Sequence, residues 1–446
     1  MFAAPIAEGA GYTRDRSGWR GEDDEMITAL MWAAAAHAFC GTYVGDGSQT
    51  LLNKGSQIAI SRQGGRTTIT MASDYDGPLQ DFAMLVPVPV VLGEEDVRIA
   101  DPALMNRLDA YSAPRLVRYT CDDFYYDDMA YDNSAVGCGN KDYALTQADS
   151  AGSVGDIGLD VTIENQFEVG VYEIVILSSE DSGDLMIWLE REGYAVSADA
   201  EAMLADYIEQ DVYFFAAKVT LGEVDEALPW LEPLQFSYEA DALSLPIRLG
   251  TLNSPGEQDL VIYVVNADSQ GAAGISNYPE LVVEDECMWE PSSPEQSIGD
   301  HYDEAFGDAW DGGAGWSREF SWNAASCDPC PDGGSLTDKD VSDLGFNGSA
   351  AEAHFTRLHV RYTPEAASQD LMLYLSGQGG QDQVRFIEYL EDLEDRFPIC
   401  GEGWVADDEA GTCSDAPEED GSDRTGRAAL VFAALSVTFL ARRRRR

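Results

Sequence analysis

Lysine and histidine are nearly missing from this chain. Its 446 residues include four lysines (Lys54, Lys141, Lys218, Lys339) and four histidines, and 27 Lys+Arg stand against 81 Asp+Glu, a formal net charge of −54. Nucleic-acid binding rests on Lys and Arg that displace counter-ions from phosphates, so nucleic acid is excluded as a partner. The sequence also lacks a G-x-S-x-G elbow, an H-E-x-x-H pair and a phosphate loop, the local signatures of many hydrolases, zinc proteases and nucleotide enzymes. Gly377-Gln-Gly379 follows no strand pattern and does not read as a nucleotide loop. No internal repeat is clear.

What is present can fold. Hydrophobic residues make up 45% of the chain and aromatics 10%, too many for a disordered acidic polymer. At about 150 residues per domain, the length suggests two or three domains. From Phe39 to Arg424 there are 75 acidic and 18 basic residues, a net of −57. Self-repulsion at that density weakens a compact state, and salt or bound divalent cations relieve it.

Both ends read as addresses. Met26 to Ala38 is an apolar run of signal-peptide length closed by the small-x-small triplet Ala36-His37-Ala38, which predicts cleavage before Phe39 and makes 1–38 an N-terminal extension and signal peptide. The acidic Glu22 to Glu25 occupies the place of a basic n-region, which favours Met26 as the start. At the other end, 428–446 is a short uncharged helix (Ala428 to Ala441) followed by Arg442 to Arg446. At 1.5 Å per residue the helix spans about 21 Å of a hydrocarbon core about 30 Å thick, a marginal membrane anchor with its arginines on the cytoplasmic side. This tail resembles the C-terminal sorting tails of bacterial envelope proteins; the myxobacterial version has cysteine just before the helix, whereas here the nearest is Cys413.

Eight cysteines (Cys40, Cys121, Cys138, Cys287, Cys327, Cys330, Cys400, Cys413) follow the expected cleavage point, and an even number in an exported chain suggests disulfides. Proximity favours Cys121 with Cys138, Cys327 with Cys330 and Cys400 with Cys413, leaving Cys40 with Cys287. Cys327-Asp-Pro-Cys330 also has the spacing of a redox dithiol or half a zinc site, but without a thioredoxin context or a second pair a structural disulfide is the better reading.

The body reads as α+β and β-rich, with antiparallel sheets and two short helices in a main domain at 39–288, a smaller Trp/Asp/Gly-rich C-terminal α+β unit at 289–400, and an acidic linker at 401–427. Ser56 to Arg62, a Gly64-Gly65 turn and Thr67 to Ala72 form a hairpin pattern. Phe82 to Leu92 is apolar throughout, but Pro87 and Pro89 predict an edge or extended segment. Further strands are expected at Asp156 to Glu164, Glu168 to Leu177, Val212 to Leu221 and Leu260 to Asn266, and Arg357 to Tyr362 alternates. Helices are expected at Ser182 to Glu192, capped by Ser182, and at Ala198 to Gln210; Gln383 to Arg396 looks amphipathic.

Several stretches in order resemble the bacterial family known as domain of unknown function 2330: Cys40-Gly41, the hairpin, Asp81 to Pro89, Leu108 to Val117, Phe167 to Leu177, Trp188 to Tyr194, Phe214 to Val219, Leu245 to Gly250, Cys327 to Cys330 and Thr356 to Tyr362. The resemblance runs over about Cys40 to Tyr374. It implies an exported or envelope-attached protein and supplies no catalytic residues.

Three histidines remain after the signal: His301, His354 and His359. If Phe355 to Tyr362 is a strand, His359 shares a face with Arg357 and Arg361 while His354 takes the other, so the two cannot share a metal from that strand; satisfied surface histidines are the expectation. The remaining chemical signal is acidic. Asp122, Asp123, Asp127, Asp128 and Asp132 crowd a loop bracketed by Cys121 and Cys138; a solvated loop is the first reading and a calcium site the alternative, since carboxylate oxygens suit calcium although no EF-hand pattern is present. Asp300, Asp303, Glu304, Asp308 and Asp311 form a looser cluster. Apart from possible calcium, no cofactor is expected. The leading functional expectation is an exported, envelope-anchored, non-enzymatic binding or structural surface protein acting on an unknown envelope or extracellular ligand. The alternatives are a hydrolase of envelope polymers, which would show raised carboxyl pKa values in a cleft, and a calcium-dependent adhesion module.

Overall fold

The structure, a computed structural model, describes residues 36–37, 42–44, 52–76, 82–117, 120–121, 159–192, 198–219, 232–254, 256–283, 286–288, 298–331, 333–388 and 413–414. In chain order the strands are β1 (Ala36–His37), β2 (Thr42–Val44), β3 (Leu52–Gln63), β4 (Arg66–Asp76), β5 (Phe82–Val88), β6 (Val97–Ile99), β7 (Arg115–Val117), β8 (Thr120–Cys121), β9 (Val161–Val169), β10 (Tyr172–Ser179) and β11 (Tyr213–Val219). They continue as β12 (Leu234–Glu239), β13 (Ser244–Leu245), β14 (Gln258–Ala267), β15 (Ala273–Ile275), β16 (Glu286–Met288), β17 (Ala314–Asn323), β18 (Ala353–Tyr362), β19 (Leu371–Leu375), β20 (Asp382–Gln383), β21 (Arg385–Glu388) and β22 (Cys413–Ser414). The helices are α1 (Pro102–Ser112), α2 (Ser182–Arg191), α3 (Ala198–Ile208), α4 (Ile298–Ala309) and α5 (Asp338–Asp343).

The expected hairpin is β3 and β4, closed at Gly64, whose φ of +63° suits glycine. It sits inside a large sheet of order β20-β17-β18-β14-β3-β4-β12-β6, with β1 also beside β14. Neighbours are antiparallel except where β14 meets β3 and β1. β18 pairs with β14 from Gln258 opposite Tyr362 to Ala267 opposite Ala353. Segments on both sides of the composition change near Trp289 therefore share one sheet. A second sheet runs β2-β5-β11-β10-β9.

The two sheets pack face to face, with Ile60, Ile262 and Leu358 of the first against Met84, Ile176 and Phe215 of the second. The outer face of the first is covered by α1 and α5, where Leu104, Leu108 and Val341 meet Phe320 and Phe355. The outer face of the second is covered by α2 and α3, where Leu185, Leu189 and Leu204 meet Leu85, Leu177 and Phe214. The result is four layers: helices, sheet, sheet, helices. A strand covered on both faces has no polar side, which is why Phe82 to Val88 reads as continuously apolar: Ala83 and Leu85 face the helices while Met84, Val86 and Val88 face the other sheet.

That strand is only partly the edge expected from its prolines. β2 covers Ala83 to Leu85, while Pro87 lies beyond it and pairs in register with Phe214 on the other side. Asp181, rather than Ser182, caps α2 by accepting from Asp184 N at 3.0 Å. Helix α1 was not expected, although Asp101 caps it and Pro102 stands at its first position, the usual place for proline. Arg385 to Glu388, inside the amphipathic stretch, is a strand held between β16 and β7 in parallel. Gly377-Gln-Gly379 does follow a strand, β19. Among the described residues, no helix is long and apolar enough to cross a membrane; the C-terminal apolar segment lies outside them.

Candidate functional site

Every residue of β18 is buried. The face bearing Arg357, His359 and Arg361, expected at the surface, is covered by α1 and α4. Aromatic residues of α4 do much of this: the Phe306 ring centroid lies 4.2 Å from that of His359 and 4.9 Å from the Arg361 guanidinium, which also approaches Trp310. Buried cations require partners, and two neighbouring strands supply them. Across β14, Asp259 stands opposite Arg361 and Tyr263 opposite Arg357. On β17 the register slips between Arg318 and Phe320, leaving Glu319 without a partner on β18. This β-bulge lets Glu319 and Phe320 project from the same face, Glu319 into the charges and Phe320 into the apolar core.

The outcome is a ladder of alternating charge. Asp109 of α1 accepts from Arg357 Nη1 at 2.6 Å, and Arg357 Nε donates to Glu319 Oε2. Glu319 Oε1 lies 3.0 Å from His359 Nδ1, and His359 Nε2 lies 2.7 Å from Asp259 Oδ1. Asp259 accepts from Arg361 Nε at 2.7 Å and from Nη2 at 3.1 Å; the same Nη2 is 3.6 Å from Asp303 of α4. Tyr302 of α4 donates its hydroxyl to Glu319. Asp109 and Asp303 reach solvent, and the five rungs between them are buried.

This geometry fixes protonation. His359 Nε2 faces the Asp259 carboxylate, and Nδ1 faces both Glu319 Oε1 and, at 3.0 Å, the Tyr302 hydroxyl, whose own proton is given to Glu319; each nitrogen is thus left to donate, which favours the imidazolium. Burial alone would lower its pKa, but hydrogen bonds to Asp259 and Glu319, together with their charges, outweigh burial and raise it to about 9. Burial would raise Asp259 and Glu319; the His359 and Arg361 contacts hold Asp259 down at about 2, and Arg357 with His359 and Tyr302 hold Glu319 at about 2.

The other expected site residues are dispersed. His354 lies on the opposite face of β18, its Nε2 2.9 Å from Ser321 Oγ and its Nδ1 3.4 Å from Asp268 Oδ1. It too is buried rather than at the surface. His301 of α4 packs edge-on against Phe386 at 4.9 Å. Of the looser acidic cluster, Asp303 meets Arg361. Asp122, Asp123, Asp127, Asp128 and Asp132 lie outside the described residues. Among the described residues, no group of three or more His, Cys, Asp or Glu is placed to hold a metal ion. Cys327 and Cys330 form the expected disulfide. Cys287 is disulfide-bonded, and its expected partner Cys40 lies outside the described residues. β22 sets Cys413 directly opposite Cys121 of β8, so one cysteine from each of two expected short-range pairs shares a register position; Cys138 and Cys400 lie outside the described residues.

Fold and ladder together define a β-rich α+β protein whose polar interior is a closed ion network. The chain belongs to the family described as an uncharacterized protein conserved in bacteria (DUF2330), which matches residues 34–374 and so includes every rung of the ladder. No curated protein matches the chain. Among solved structures, the crystal structure of baculovirus P35 is similar at a TM-score of 0.28 and 11% identity, over 74% of this chain and 99% of that one, too little to transfer fold or function.

Proposed function

We propose that this protein is exported and held at the cell envelope, where it binds an extracellular or envelope partner or serves a structural role. Three features support the location: the apolar run closed by Ala36-His37-Ala38, the even cysteine count with its Cys327–Cys330 bridge, and the arginine-ended apolar tail. The observation that carries the role is the closure of His359 between two carboxylates at 3.0 and 2.7 Å. A raised pKa and partners on both nitrogens favour an imidazolium, which has no lone pair to accept a substrate proton, and this supports a bracing role in which the ladder ties α1 and α4 to the sheet. A body of net −57 favours a basic or cation-bearing partner. Calcium on the loop carrying Asp122, Asp123, Asp127, Asp128 and Asp132 belongs to the same proposal.

Mass spectrometry of the mature protein, combined with protease treatment of intact cells, tests the location. The expected result is an N-terminus at Phe39 and a body cut from outside. A protein that keeps Met1 and resists external protease would overturn it.

A further inference from the structure

The sheet face opposite the ladder carries a second histidine in a different chemical setting. Ser321 of β17 and His354 of β18 are diagonal neighbours, since Ser321 pairs with Thr356 and His354 with Asn323. The hydroxyl of Ser321 is 2.9 Å from His354 Nε2, and His354 Nδ1 is 3.4 Å from Asp268 Oδ1, at the first residue of the turn that follows β14. Asn323 Nδ2 donates to that same Asp268 oxygen at 3.0 Å and so holds the carboxylate in place. Serine, imidazole and carboxylate thus touch in the order that makes a hydroxyl nucleophilic, with the acid orienting the base and the base taking the proton.

A glycine-rich strap, 376–382, closes this group. A Cβ on Gly380 would stand 3.3 Å from Ser321 Oγ and one on Gly379 3.9 Å from His354 Cε1, so strap backbone lies directly on the pair. Three main-chain bonds hold the strap from the 270–272 side: Ser376 N to Ala272 O at 2.8 Å, Gly377 N to Gln270 O at 2.9 Å and Ala272 N to Gln378 O at 3.0 Å. Its outer side, 376–379, is exposed while Ser321 beneath is fully buried. Lifting such a strap is the kind of loop opening that admits substrate to a closed site.

We propose that Ser321, His354 and Asp268 form an acyl-transfer site closed by the strap, acting on an ester of a short acyl group. This goes beyond the binding or structural reading. Ser321 Oγ forms a bond to the acyl carbon as its proton moves to His354 Nε2. The bond from that carbon to the leaving oxygen breaks, and the leaving alcohol takes the proton from His354. Water then attacks the acyl-serine, again with His354 as base, releasing the carboxylic acid and restoring Ser321. Glycines rather than larger residues lie over the hydroxyl, so lifting the strap would bare it to a small acyl group, and the acidic body favours neutral or cationic esters over anionic ones. The histidine is suited to the part: burial lowers its pKa against the opposing pull of Asp268 and Asp382, with Arg318 also lowering it, so it is neutral and free to accept a proton near neutral pH.

A fluorophosphonate probe, which bonds to an activated serine with loss of fluoride, tests the site in the full chain, with the adduct located by peptide mapping and folding checked by circular dichroism. The adduct is expected on Ser321, absent in Ser321→Ala and formed at least about 100-fold more slowly in His354→Gln. Asp268→Asn, at a half-exposed position, is expected to slow labelling about 10-fold or more even if the histidine variant fails to fold. Gly271→Ala would place a Cβ 1.9 Å from Gln378 O at a residue with φ +67°, pushing the strap outward, and is expected to speed labelling. Hydrolysis of p-nitrophenyl acetate should follow the same order. No adduct on Ser321 in either folded wild type or folded Gly271→Ala would overturn the proposal, as would labelling that ignores Asp268→Asn.

Discussion

His359 and Asp259 meet on the diagonal: Val261 stands directly across from the histidine and Arg361 across from the aspartate, yet His359 Nε2 and Asp259 Oδ1 approach to 2.7 Å. The offset is within diagonal cross-strand reach. It lets one carboxylate serve two cations, since Arg361 takes the remaining acceptor positions at 2.7 and 3.1 Å.

Removing the middle rung therefore strands charge on both sides. His359→Ala is expected to destabilise the fold by roughly 3 to 5 kcal/mol, the range for breaking a buried ion pair from one side, because Asp259 and Glu319 would each lose a partner. Urea unfolding of the two proteins measures it. A loss below about 1 kcal/mol would mean that water reaches the ladder and replaces the ring.

The ladder also sets a pH window. His359 has a folded-state pKa raised to about 9, so its contribution is fully present below the unfolded value of about 6.5 and is lost as pH rises through 9, at a cost on the order of 3 kcal/mol. Asp259 and Glu319, both held at about 2, contribute above their unfolded values of about 4 and lose that contribution as pH falls toward 2. Stability from these groups should peak between about pH 5 and 6.5. Urea midpoints across pH 2 to 10 check this, and His359→Ala should flatten the alkaline limb.

Cysteine connectivity is open to direct mapping. Residues opposite each other in an antiparallel pair lie about 4.5 to 5.5 Å apart at Cα, within the span of a disulfide. The register of Cys413 against Cys121 predicts a bond between them, leaving Cys138 and Cys400 to each other. Digestion without reduction should yield a linked peptide containing Cys121 and Cys413; one joining Cys121 to Cys138 would restore the short-loop arrangement.

Cations test the acidic loop. If calcium binds there, millimolar calcium should raise the melting temperature where equal ionic strength of sodium chloride does not, and Asp127→Asn with Asp128→Asn should abolish the difference. Linkage gives about 2.7 kcal/mol at a hundred times the dissociation constant. An equal response to both salts would assign the effect to screening of the −57 body.

The hairpin, helices α2 and α3, and several of the long strands (β10, β11, β14) were legible because their signals are local: a Gly-Gly turn and apolar residues at helical or alternating spacing. The ladder was not. Arg357, His359 and Arg361 alternate as a solvated face would, and their partners Glu319 and Asp259 lie on other strands, far away in sequence. A bulge at Glu319 leaves no mark in a run such as Ser317 to Trp322. The acidic spacing on α4 suggested a cation site, whereas Asp303 reaches a cation the protein itself supplies. Histidines in a strand read as surface residues because nothing local announces the helix or strap that covers them.

The order of strands in the large sheet dictates a schedule. Ile58 pairs with Ile262, and Ile262 with Leu358, so the hairpin made first keeps an open edge until roughly two hundred more residues have arrived, and the strand that closes it waits for roughly a hundred beyond that. Contacts so distant in sequence make for slow folding and leave sticky, half-built intermediates. The final third of the chain is thus the keystone of a sheet that the earlier two-thirds leave open at one edge.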